Sequence, residues 1–198
     1  MSKRKLMQDG KAPVITTNSG RIIDVIRPNY RDITMRDIIH GLSGCGRFVN
    51  QCDETINVGQ HTCYVTRLVS DYGMTAEQQA FLHDASEAFI CDIPKWLKNH
   101  ESMAFYREIE ERWWKAIARA FDVPRTMHWS VGEADRLMVR FEARKGFKDR
   151  WECPPNYPDP SRQERDAIWA CFERPWRIWS RKRTKDIMWD EAKRLRLL

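Results

Sequence analysis

At 198 residues the chain suits one domain, and a single core of that size buries enough apolar surface to stand alone. A composition of 42% hydrophobic, 31% charged and 11% aromatic residues, with nine tryptophans, excludes a disordered or low-complexity protein. The net charge of +6 suits an anionic partner without choosing among nucleic acid, a nucleotide phosphate and nothing specific, because much of the excess sits in the tail from Arg174 onward.

The opening MSKRKLMQDGK has no apolar run behind its basic residues. No later segment approaches the roughly 18 uncharged apolar residues of a membrane span. Six cysteines without a Cys-x-x-Cys pair read as reduced thiols, so a soluble, cytoplasmic protein is expected. In chain order, VITTNSGRIIDVI over 14–26 is two short β-rich runs around Asn-Ser-Gly, which predicts one small hairpin. Apolar spacing predicts helices near 35–43, 57–71, 76–90, 101–120, 131–147, 161–173 and 184–196. Capping boxes at Thr34/Asp37, Thr75/Gln78, Ser130/Glu133 and Ser161/Glu164 mark four of the starts. RWECPPNYPDP over 150–160 holds four prolines and predicts a rigid loop between the main bundle and a Trp-rich basic pair of helices. The fold class is therefore all-α with a short N-terminal hairpin, one domain over 1–198 with a core at about 14–147 and a C-terminal extension over 150–198.

Three of these helices carry polar groups on their apolar faces. His61 falls on the stripe Val58, Val65, Leu68, Val69; alone it reads as a core histidine satisfied by a carbonyl. Asp84, with His83 beside it, shares the face of Ala80, Phe81 and Ala88, where an isolated charge must pair, neutralise or bind a metal. Glu87 follows His83 by four residues and Asp84 by three, which puts all three on one side of a helix. Asp135 lies within the stripe Val131, Ala134, Met138, Phe141, and an ion pair with Arg136 or Arg140 explains it as well as function does. The coincidence carries the argument: two His and two Asp make a hard N/O set suited to a divalent ion.

The ligand order H…HD…D, set in HDASEAFICDIPKWLK with INVGQHT before it and GEADRLM after it, resembles the HD superfamily of metal-dependent phosphohydrolases. VITTNSGRIIDVIRP and DIIHGLSGCGRFVNQ extend the likeness over about residues 14–147 to phage proteins related to the YfbR-like 5′-deoxynucleotidases, and within them to the phage dATP triphosphohydrolases of the DatZ type. The resemblance implies an α-helical HD bundle. It also implies that His61, His83, Asp84 and Asp135 hold one divalent ion, Co²⁺, Mn²⁺, Zn²⁺ or Mg²⁺. By the same likeness Glu87 and Asp92 position water and transfer protons. Arg47 and Phe48 of GRFVNQ would take a phosphate and pack on the sugar or base.

Lys98 of DIPKWLK is the preferred further phosphate contact, with a solvated lysine as the equal ordinary reading, and Lys95 reads as solvated. Asp92 doubles as a helix cap candidate, Pro94 suits a first helical turn, and His40 reads as structural. The family continues its Arg-aromatic pair with glycines and a histidine, where this chain has Val49, Asn50 and Gln51.

The expected activity is hydrolysis of a deoxynucleoside triphosphate, dATP first, to deoxynucleoside and triphosphate. The close alternative is a 5′-deoxynucleotidase acting on monophosphates. The resemblance further implies a homo-oligomer, dimer or hexamer, to which a Trp-rich tail offers apolar surface, and, if phage-encoded, residence in the host cytoplasm. A nucleic-acid-binding protein that uses the basic tail with Trp176, Trp179 and Trp189 ranks below the enzyme, because it leaves the inward His/Asp set unexplained.

Overall fold

The computed structural model describes residues 13–147, 160–171 and 176–198. The expected proline loop over 150–160 lies outside the described residues apart from Pro160. The chain opens with an antiparallel pair, β1 (Val14–Thr16) and β2 (Ile22–Asp24), in register Val14↔Asp24, Ile15↔Ile23 and Thr16↔Ile22. The turn closes through Thr17 N to Arg21 O at 2.8 Å and Gly20 N to Thr17 O at 3.0 Å, and Gly20 takes the left-handed φ of 84° that a side chain disfavours.

Everything else among the described residues is helical or connecting. α1 (Met35–Leu42) starts at the Thr34 cap as expected. Asp37 on its first turn accepts from Thr34 Oγ1 and from both the N–H and hydroxyl of Ser19, which joins the hairpin turn to the helix. α2 (Val58–Leu68), capped by Asn57, is the central helix, and all residues from Val58 to Thr66 are buried because α1, α3, α7, α8 and α9 surround it.

The single helix expected over 76–90 is instead two, α3 (Met74–Leu82) and α4 (Glu87–Ile90), joined by a tightened turn. Ala80 O, the acceptor that an unbroken helix would offer the Asp84 N–H, is engaged by His83 Nδ1 at 2.6 Å. The next bonds are i to i−3, from Ala85 N to Leu82 O and from Glu87 N to Asp84 O. The boxes at Thr75/Gln78 and Ser130/Glu133 do not form either. The helices start earlier, at Met74 after Gly73 and at Trp129, so both hydroxyl residues lie inside a first turn and cannot cap it. The Ser161/Glu164 box does form.

α5 (Lys95–Lys98) follows Pro94, and α6 (Ala104–Ala120) lays Trp113 and Ile117 on the core. Buried Gln79 then donates to Pro124 O and Thr126 O and accepts from His128 N, which sets the entry of α7 (Trp129–Phe147). α8 (Arg162–Cys171) and α9 (Arg181–Arg194) complete the bundle. The C-terminal segment is no appendage: Asn57 Nδ2 donates to Trp179 O, Gln60 Nε2 to Arg177 O, and Trp179 N to Gln60 Oε1. Met188, Ala192 and Leu195 are fully buried in the same core. Trp179 is buried and Trp176 and Trp189 pack on that core, so the tail tryptophans serve this chain's interior rather than offering a free apolar face. Among the described residues no helix is long and apolar enough to cross a membrane.

Candidate metal centre

α2, the turn between α3 and α4, and α7 bring four side chains together under one cavity. His61 is fully buried on α2, and its Nε2 stands 3.2 Å from Asp135 Oδ1 on α7 and 3.7 Å from Asp84 Oδ2. His83 Nε2 is 3.2 Å from the same Asp84 oxygen. Ligand atoms of His61, His83 and Asp135 all lie within 4.8 Å of one another, a group that could hold a metal ion. The tightened turn after Leu82 is what lets adjacent His83 and Asp84 both face this point.

The hydrogen bonds of the two imidazoles test that fit. His61 Nδ1 lies 3.1 Å from Glu142 Oε2 and His83 Nδ1 lies 2.6 Å from Ala80 O, so each ring has one nitrogen committed to an acceptor. The remaining atoms, His61 Nε2 and His83 Nε2, are buried with no hydrogen-bond partner. Buried polar atoms without partners are uncommon and costly. Two imidazole nitrogens aimed at two carboxylates, each oriented from behind by an acceptor, is the donor set that a divalent ion takes. Asp135 does not use the arginine alternatives that its sequence allowed: Arg136 pairs with Glu133, and Arg140 pairs with Glu164 at 2.6 Å.

Charge is balanced tightly here. Burial opposes ionisation of Asp84, yet His83, His61 and Arg47 outweigh it and hold the carboxyl well below the usual carboxylate range. Asp135 is likewise lowered, by His61 against its burial. Burial, reinforced by Asp84 and Asp92, pushes the Glu87 carboxyl well above its ordinary value. Asp92 rises too, first by burial.

Above the cluster opens a cavity of about 590 Å³ lined by Asp84, Glu87, Asp92, Asp135, Arg47, Phe48 and Lys98 among others. The buried Arg47 guanidinium reaches Asp84 at 3.5 Å and Glu142 at 3.0 Å. Phe48, Val49 and Asn50 form a turn with three successive left-handed φ angles of 54°, 53° and 56°, an arrangement that costs about 1–2 kcal/mol per residue. It presents Phe48 to the cavity wall, edge-on to Phe147 at 5.7 Å. Lys98 Nζ is held by Glu110 at 2.8 Å and approaches Glu87 at 3.4 Å. Pro94 occupies the cap position of α5 and no side chain caps that helix, so Asp92 does not serve as its cap. His40 lies away from the cluster, between Arg181 and Lys185 of α9, in keeping with a structural role.

Two residues that frame the site escaped the sequence argument. Glu142 follows Asp135 by seven residues on the face of Met138, and Glu110 precedes Trp113 and Ile117 at helical spacing; the signal that exposed Asp135, an acid on an apolar stripe, was present for both.

No protein-family model matches the chain. It is 31% identical to the uncharacterized protein YfdR of Escherichia coli over 131 residues, 66% of this chain and 70% of YfdR. It is 29% identical over 143 residues to an uncharacterized protein of Rhodobacter capsulatus, covering 66% of this chain and 72% of that protein.

Proposed function

We propose, for a chain that belongs to the family of YfdR, that it is a metal-dependent phosphohydrolase of the HD type acting on a deoxynucleoside triphosphate, dATP first, and releasing deoxynucleoside and triphosphate. The observation that carries this reading is the convergence of the buried Nε2 atoms of His61 and His83 on Asp135 and Asp84, each 3.2 Å from a carboxylate oxygen, beneath a nucleotide-sized cavity. A divalent ion held by these four residues would polarise a phosphate oxygen and acidify an attacking water.

The rest follows from the chain's own groups. Arg47, fixed from behind by Glu142, offers a preorganised fork to a phosphate oxygen. Glu87 has a raised affinity for protons and its Oε2 is buried without a partner, so it suits proton transfer to or from an oxygen beside the cluster, with Asp92 in support. Lys98 is pre-positioned by Glu110, and Lys95 and Arg136 on the same walls add cations beyond Arg47 and Lys98. Those extra cations favour a triphosphate over a monophosphate. Phe48 supplies a face for the sugar or base. Assembly into a homo-oligomer, dimer or hexamer, belongs to the same proposal.

The test compares kcat/KM for dATP, dGTP, ATP and dAMP under one metal condition, repeated with Co²⁺, Mn²⁺, Mg²⁺ and Zn²⁺, with products identified by chromatography. Metal-dependent release of triphosphate from dATP, with dGTP and ATP slower, is expected. A pocket that leaves a 2′-hydroxyl or guanine carbonyl without partners discriminates through kcat/KM. Equal efficiency on dATP and dGTP removes the base preference, turnover confined to dAMP shifts the activity to a 5′-deoxynucleotidase, and no turnover of any nucleotide overturns the proposal.

A further inference from the structure

Glu142 is a fully buried acid that touches the cluster and that the chemistry above does not use directly. Its Oε2 lies 3.1 Å from His61 Nδ1 and 3.0 Å from Arg47 Nε, while its Oε1 is buried with no hydrogen-bond partner. One oxygen thus faces a metal-capable histidine and the arginine that reaches Asp84. On the reading of the cluster as a metal centre, we propose that Glu142 is a positioning residue whose Oε2 holds the His61 proton on Nδ1, leaving the Nε2 lone pair for the ion, and anchors Arg47 over Asp84.

A neutral imidazole carries one proton, and an ionised carboxylate can only accept. Glu142 at 3.1 Å therefore favours the tautomer with the proton on Nδ1, in competition with Asp135 at 3.2 Å from Nε2. The alternative tautomer would place an N–H on Nε2, directed at Asp135 Oδ1 3.2 Å away, and would remove the donor pair from the cluster. The position is also rigid: Glu142 and Asp135 lie on one face of α7, two turns apart, so the helix that contributes one carboxylate to the cluster orients the histidine from the other side. Arg47 answers the buried charge of Glu142, as a buried carboxylate requires. A single oxygen therefore ties the metal side of the site to its phosphate side.

The experiment uses the full chain with Mn²⁺ as the probe, comparing wild type with Glu142→Gln, which preserves volume, and Glu142→Asp, which preserves charge but shortens the reach. Mn²⁺ affinity by calorimetry should fall about 10- to 100-fold in Glu142→Gln, the range seen when outer partners of metal ligands are removed, and recover in part in Glu142→Asp. Nitrogen chemical shifts of His61 in metal-free wild type, recorded at a pH where the ring is neutral, should show the proton on Nδ1; Glu142→Gln should give a mixture of tautomers. Unchanged Mn²⁺ affinity in Glu142→Gln, or a neutral wild-type ring protonated on Nε2, overturns the inference. Failure of wild type to bind Mn²⁺ or any other divalent ion would instead overturn the metal-centre reading, and the tautomer would still decide what Glu142 does. The wild-type tautomer and Glu142→Asp carry the test if Glu142→Gln does not fold.

Discussion

At the scale of single residues, the two imidazoles of the cluster share one arrangement. His61 and His83 each give one nitrogen to an acceptor behind the ring, a carboxylate for one and a backbone carbonyl for the other, and keep the second nitrogen for the centre. Asp84 sits between His83, His61 and Arg47, against the burial that would otherwise protonate it. His61 and Asp135 were legible in the sequence because a polar group on an apolar stripe contradicts the period of its own helix, and Asp84 because it shares an apolar pattern although it lies in the turn between α3 and α4. Sequence could not show whether Asp135 faced an arginine or the histidines, since Arg136 and Arg140 are both near it in the chain and have long, flexible side chains. Glu133 on the same helix and Glu164 on α8 take these arginines and decide it. Glu142 went unseen for the opposite reason: it shares its stripe with Asp135, but the resemblance gave no role to that position.

At the scale of elements, the differences between expectation and fold cluster where side chains compete for backbone groups. His83 takes a carbonyl that continued helix would need, so a predicted fifteen-residue helix becomes two with a tightened turn between them, and that turn is what aims His83 and Asp84 together. Thr75 and Ser130 have the right spacing to cap, yet Gly73 and Trp129 start their helices early and leave the hydroxyls inside. Where no competitor intervenes, as at Thr34 and Ser161, the boxes form.

The junction of the hairpin with α1 gives a pH prediction. Burial opposes the charge on Asp37, but hydrogen bonds from Thr34 and Ser19 outweigh it and lower its folded-state carboxyl below the ordinary value. A lowered folded value means that the bonds contribute fully above the unfolded carboxylate range near about pH 4 and are lost as pH falls through the lower folded value. Asp37→Asn should therefore destabilise the protein by about 2 kcal/mol at pH 7, the scale of charge-assisted hydrogen bonds, with the difference from wild type shrinking toward pH 2. Thermal unfolding at several pH values checks this, and a difference that does not depend on pH would contradict it.

At the scale of the whole molecule, the C-terminal segment changes the picture most. Its charge and tryptophans suggested an extension with surface to spare. In the structure buried amides of Asn57 and Gln60 stitch residues 177–179 to α2, and α9 delivers Met188, Ala192 and Leu195 to the common core. Amide pairing across more than a hundred residues has no local sequence signature, which is why helical content was legible in the sequence and the docking of the tail was not. The apolar argument for assembly loses force with the tail tucked in, so the proposed homo-oligomer rests on the family likeness; light scattering at micromolar concentration should give a multiple of the chain mass, and a monomeric mass would refute it.

Anomalous diffraction from crystals grown with Co²⁺ decides whether His61, His83, Asp84 and Asp135 form one divalent-metal centre, as proposed. Wild type and a His100→Ala control, whose exposed ring hydrogen-bonds to Ser102, should each show one strong cobalt peak bounded by those four side chains, and Asp84→Ala should lose both the peak and phosphohydrolase activity. No cobalt peak at the cluster in wild type, or an undiminished peak with normal turnover in Asp84→Ala, would contradict the account.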